Sequence, residues 1–228
     1  MSPEIFIPFI VVMALLFGGL IYLGIWMEKK KRAAFQALAS RLGLTYNPEK
    51  NRPLAQRYAF LAGLNTGSNR YASHVLTGSM DGEAVLAFEH HYETHSTDSK
   101  GNRSTHHHYH SVFVVKLTQS FPKVTIFPEG ILSKIAQAFG YDDIDFESAE
   151  FSRAYCVRSP DKRFAYDICH PLAIEFLLKH RGMGLQIEGA TLAAINEGAL
   201  SSTEVEFRLH RLLAFRQLVP EYLLKTDA

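Results

Sequence analysis

The chain has 228 residues, 47% hydrophobic and 21% charged, with a formal net charge of +1. That balance excludes a disordered or fibrous protein, and two cysteines, Cys156 and Cys169, exclude a disulfide-framed secreted scaffold. The cations Lys29, Lys30, Lys31 and Arg32 stand together near the N-terminus, and the remainder is almost neutral, with no field to draw in a nucleic acid.

From Ile5 to Met27 no residue is charged. At about 1.5 Å per residue such a helix reaches ~34 Å, and a bilayer's hydrocarbon core is about 30 Å thick. The run therefore predicts a transmembrane helix over 5–27. Tyr22 and Trp26 lie near its far end, where amphipathic aromatics favour the headgroup region. Lys29, Lys30, Lys31 and Arg32 follow directly, whereas only Glu4 precedes it. Cations stay on the cytoplasmic side, so residues 1–4 are expected outside and the rest of the chain in the cytoplasm at the inner membrane. A cleaved signal peptide fits less well, because the segment lacks a basic start and exceeds the usual apolar length.

Residues 28–52 read as a juxtamembrane helix and linker, and 53–228 as the cytoplasmic domain, with room for two lobes divided near 148. Phe35, Leu38, Ala39 and Leu42 recur at helical spacing, with Gly43 as C-cap. A short helix is expected over 54–60, then strands over 71–80, 83–95, 105–117 and 123–127. Asp81-Gly82 is a two-residue hairpin turn, and 96–104 a longer one. Beyond these come a helix over 130–139 and strand segments at 144–146 and 151–157. A helix capped by Ser159-Pro160-Asp161 runs to 168, and another covers 171–180. A hairpin of 185–188 with 192–196 and a last helix over 203–219 complete the chain. The order predicts an α+β fold: one N-terminal transmembrane helix followed by a largely antiparallel sheet domain with packed helices.

This layout resembles a family of bacterial single-pass membrane-anchored proteins that carry a domain of unknown function. The resemblance lies in the N-terminal span, the basic stretch and the helix ending Ala37-Leu38-Ala39…Leu42-Gly43-Leu44. It extends to Asp143-Ile144-Asp145-Phe146-Glu147 followed by Glu150-Phe151-Ser152-Arg153. It implies architecture and topology but no catalytic residues.

Seven of the eleven histidines fall between residues 90 and 110. Pairing about an index sum near 200 sets His90 opposite His110, and puts His90, His106, His108 and His110 on one face. His91, His95 and His107 share the other face. Imidazoles at cross-strand distance can chelate Zn2+ or another transition metal, so the first set is the candidate metal site; a solvated polar arm is the plainer reading. The acidic run Asp142, Asp143, Asp145, Glu147 and Glu150 lacks the spacing of a calcium loop. No G-x-S-x-G, P-loop, G-x-G-x-x-G or H-E-x-x-H occurs. The expectation is a membrane-tethered protein-binding or assembly module, with the bilayer and a membrane or cytoplasmic protein as partners and no nucleic acid. The alternatives are a metal-binding or metal-sensing domain using the hairpin, and an enzyme whose site is built from scattered residues.

Overall fold

The computed structural model describes residues 3–129 and 142–224; within the first helix, side chains are described from Val12 onward, Ala14 excepted. The helix expected over 130–139 lies outside the described residues. A single unbroken helix, α1 (Pro3–Leu42), unites the apolar run with the juxtamembrane segment. Among the described residues no helix is long and apolar enough to cross a membrane. The side chains of 5–11 and of Ala14, part of the expected span, lie outside those described. The described apolar side chains of this stretch are uncovered: Leu15 is 70% exposed, Leu20 66% and Trp26 49%. One helical span further on, Phe35, Leu38 and Ala39 are buried. α1 then stops where Gly43 takes a φ of 67° and Leu44 N–H donates to the Ala39 carbonyl at 2.8 Å, which satisfies a terminal carbonyl.

The next elements are β1 (Thr45–Asn47) and α2 (Arg52–Arg57), the latter capped by the Asn51 side chain. β2 (Ser68–Met80), β3 (Glu83–Thr97) and β4 (Arg103–Pro128) form an antiparallel meander. Asp81 and Gly82, with φ of 51° and 81°, make the primed turn that suits the strand twist. Then come α3 (Ala149–Ala154), β5 (Tyr155–Arg158), α4 (Lys162–Ile168), α5 (Pro171–Lys179), β6 (Gly184–Glu197), α6 (Val205–Leu218) and α7 (Glu221–Leu224). The result is α+β, with an antiparallel sheet of six strands and packed helices.

Several boundaries differ from the sequence reading, each for a physical reason. Thr45–Asn47 is not linker but an edge strand on β2. The two strands expected over 105–117 and 123–127 are one long strand, with register irregularities between Lys116 and Val124 absorbing Pro122. The hairpin expected over 185–196 is instead one strand lying along β4, bent at Gly189, whose φ is 56°. No strand forms at 144–146, where Asp143 Oδ1 accepts the Val157 N–H at 2.8 Å. Asp161, not Ser159, caps α4, accepting the Phe164 N–H at 3.0 Å. β5 and β6 come after residue 148 and pair with β4, so one sheet joins the two halves.

Both faces of the sheet are covered, which explains the unbroken apolar run Val112–Val115. Val85, Ala87, Phe113 and Val115 point to the side that holds Phe35, Leu38, Leu209 and Leu212. Leu86, Phe88, Val112 and Val114 point to the other, where Tyr58, Leu61 and Leu64 cover them. Each valine, leucine and phenylalanine among them contributes roughly 1.5–3 kcal/mol on burial. On the second face Gln186, fully buried, accepts the Ala62 N–H at 2.8 Å and fixes the covering loop.

Candidate functional site

β3 and β4 run on as a long hairpin, flanked by β2 as far as Ser68↔Glu93 and by β6 as far as His110↔Glu197, and beyond those pairs it is a two-stranded arm. Its register is His90↔His110, His91↔Tyr109, Tyr92↔His108, Glu93↔His107 and Thr94↔His106. Period-two alternation then separates two rows of side chains, one per face.

His90, His106, His108 and His110 share a face, but their nitrogens are not gathered. The Tyr92 ring stands among them, stacked on His108 at 4.7 Å and on His110 at 5.5 Å. His108 is bonded to Thr94 Oγ1 at 2.8 Å and His106 to Ser96 Oγ at 3.0 Å. His90 is fully buried, and neither of its ring nitrogens has a hydrogen-bond partner among the described residues. Burial pushes its pKa down to about 4, with His110 reinforcing the effect; the Leu64 backbone opposes it without reaching hydrogen-bond geometry.

The opposite row is differently organised. His91 Nε2 lies 3.0 Å from His107 Nδ1, and His107 Nδ1 lies 3.5 Å from Glu93 Oε1. Among the described residues this is the one trio of His, Cys, Asp or Glu whose ligand atoms all fall within 4.8 Å of one another. Asn69 organises it. Its backbone carbonyl accepts from His91 Nδ1 at 3.2 Å, and its side-chain amide donates to Glu93 Oε1 at 2.7 Å. It does so from a left-handed conformation, φ 47°, at an irregularity of β2. That Asn69 bond, ahead of all other influences, holds the Glu93 carboxylate below its ordinary range.

On the same face the arm meets α1. Glu89, 4% exposed, accepts from Lys31 Nζ at 3.0 Å and from the Leu200 N–H at 2.9 Å. His74 sits in a second irregularity of β2 with φ 50°, its Nδ1 2.7 Å from the Tyr46 hydroxyl and its ring stacked on Phe35 at 5.1 Å. Burial, with help from Lys31, keeps this imidazole less basic than usual despite Glu89 and Glu28. A cavity of about 550 Å³ opens here, lined by Glu28, Lys31, Glu49, Lys50, Tyr71 and Tyr109 among others. Tyr71 and Tyr109 are shared with the trio, packing on the His91 ring at 4.4 Å and 5.1 Å.

No family model and no curated protein matches the sequence. The fold is similar to that in the crystal structure of the mycobacterial trehalose monomycolate transport factor A, TtfA. The TM-score is 0.54 at 16% identity, over 82% of this chain and 90% of that one. At that identity the likeness is one of fold.

The remaining sequence candidates are occupied structurally. Asp143 caps backbone N–H groups, and Glu150 pairs with Arg181. His170 Nε2 donates to the Leu218 carbonyl at 2.8 Å. Burial raises both thiols, Cys156 to about 12, which leaves them un-ionised and unreactive. Lys31, which the sequence offered only as part of the basic run, is the partner of Glu89. Sequence reasoning missed Asn69, Glu89, Glu93 and His74. Asn69 and Glu93 carried a faint signal, an asparagine before a strand and a carboxylate within a histidine row.

Proposed function

We propose that this chain is a membrane-tethered module that binds another protein at the cytoplasmic face of the inner membrane. The observation that carries the reading is the uncovered apolar half of α1, from Leu15 to Met27, which the domain leaves bare while burying Phe35 and Leu38 of the same helix. A soluble monomer rarely exposes so much contiguous apolar surface, and lipid is the solvent that removes the cost. Lys29, Lys30, Lys31 and Arg32 fall at the boundary and set the direction. The cavity beside Lys31 follows within one helical turn of Met27, so a partner in or on the membrane is within its reach. Its lining mixes both signs, with Glu28 and Glu49 beside Lys31 and Lys50, which suits a polar protein segment.

Two experiments test the reading. The buried, unreactive Cys156 and Cys169 leave the chain silent to maleimides, so Ser2→Cys and Ser99→Cys report topology. Full-length protein is expected to resist carbonate extraction, with Ser2→Cys labelled by an impermeant maleimide in intact cells and Ser99→Cys labelled only after permeabilisation. Release by carbonate, or the opposite labelling, overturns the tether. A photo-crosslinker replacing the exposed Glu49 is expected to give one protein adduct of fixed mass in native membranes. Lys50→Glu is expected to abolish it; adducts to lipid alone would rule the protein-binding role out.

A further inference from the structure

We propose that His91, Glu93 and His107 form a binding site for a single Zn2+-class transition-metal ion, on the face of the arm opposite to His90, His106, His108 and His110. The proposal stands independently of the membrane tether. Donors around a tetrahedral metal with bonds of about 2.0–2.2 Å lie roughly 3.3–3.5 Å apart. The His91–His107 and His107–Glu93 separations are 3.0 and 3.5 Å, and all three donors fall within 4.8 Å. Small side-chain rotations close the trio on an ion.

The chemistry of the donors fits as well. A carbonyl oxygen only accepts, so His91 Nδ1 must carry the proton that meets the Asn69 carbonyl. The His91 Nε2 lone pair is thereby bare and aimed at His107. In the empty site His107 Nδ1–H donates to it. When a metal enters, His107 moves that proton to its own solvent-facing Nε2, and both facing lone pairs become ligands without net proton loss. An imidazole whose second nitrogen donates to a backbone carbonyl is the usual supported metal ligand. Asn69 gives Glu93 the same support through its amide, so one residue orients two of the three donors. It occupies a left-handed backbone conformation to do this, φ 47°, one that asparagine adopts more readily than most side chains. Gly67, also at positive φ, lets the start of β2 approach the Glu93 backbone where a Cβ would collide. Tyr71 and Tyr109 wall the His91 ring.

Two imidazoles and one carboxylate are the donor set of open zinc sites, which keep a fourth position for water or an incoming ligand. His107 is half exposed, so the fourth position is reachable from solvent.

The test is equilibrium dialysis of the full-length protein in detergent against Co2+, followed by Zn2+ competition, with the visible bands of tetrahedral Co2+ as the readout. The expectation is one ion per chain. His107→Ala, at an exposed position that folding tolerates, is expected to weaken binding about 100-fold. Asn69→Ala is expected to weaken it by ~10–100-fold, as loss of an outer-shell partner does. The double variant His106→Ala/His108→Ala should bind as the parent does. Absence of stoichiometric binding, unchanged affinity in His107→Ala or in Asn69→Ala, or loss in the His106/His108 double variant would each overturn the proposal.

Discussion

Burial keeps His90 neutral, with a pKa pushed down to about 4, and lowers His110 beside it. Unfolded imidazoles protonate near about 6.5. Between those values the unfolded chain therefore binds more protons than the folded one, so stability rises with pH across the window and is lost as pH falls from 6.5 toward 4. The His90 contribution amounts to at most about 3 kcal/mol. Denaturant melts between pH 7 and 4.5 are expected to show this slope, and His90→Phe to flatten it; an equal slope in the variant would place its origin elsewhere. Glu89 acts on stability through its two partners. Glu89→Ala strands the Leu200 N–H and frees Lys31, which is 33% exposed and can rehydrate, so a loss of about 2 kcal/mol is expected. Glu89→Gln, which still accepts from Leu200, should lose about half of that in the same melts. Period-two reasoning found the histidine rows from sequence. Which row gathers its nitrogens depended on the Tyr92 ring on one face and Asn69 on the other. Asn69 lies more than twenty residues from His91, beyond any local pattern.

Elements were legible where their signals were local. Asp81-Gly82 fixed the β2–β3 turn, and Phe35, Leu38 and Ala39 marked the buried face of α1, because both signals depend only on neighbours along the chain. The long strands were not, since Pro122 and Gly189 normally end a strand. Here each falls at an irregularity of the same β4–β6 ladder, and the pairing resumes beyond it. That ladder leaves Gly184 against Phe127: a Cβ there would meet the ring at 2.6 Å, and Phe127 is 1% exposed with nowhere to move. Gly184→Ala is expected to destabilise by about 1–3 kcal/mol through overpacking. A calorimetric melt no lower than the parent's would show that the ladder yields more readily than its packing implies.

For the whole molecule, the order of the predicted elements anticipated an α+β domain with an antiparallel sheet, but not that β5 and β6 would bind the second half of the chain to β4. Nor did it reveal that α1 belongs to the core as much as to the apolar run. Leu38→Ala is accordingly expected to cost about 2–5 kcal/mol in domain stability, measured by denaturant unfolding in detergent, although the residue stands beside a segment that reads as linker. The unbroken path of α1 from its bare apolar half to Phe35 also gives the molecule an angular setting. A straight helix advances about 100° per residue. One alanine inserted after Lys30 would swing the histidine trio and most of the cavity's lining by about 100°, a little over a quarter of a turn, around the axis of the apolar half. Seven would lift them by about 10 Å and return them to within roughly 20° of their first bearing. If the domain must face a neighbour in the same membrane, its work should fail with one inserted residue and revive with seven, as a gear does when its teeth fall out of mesh and come round again.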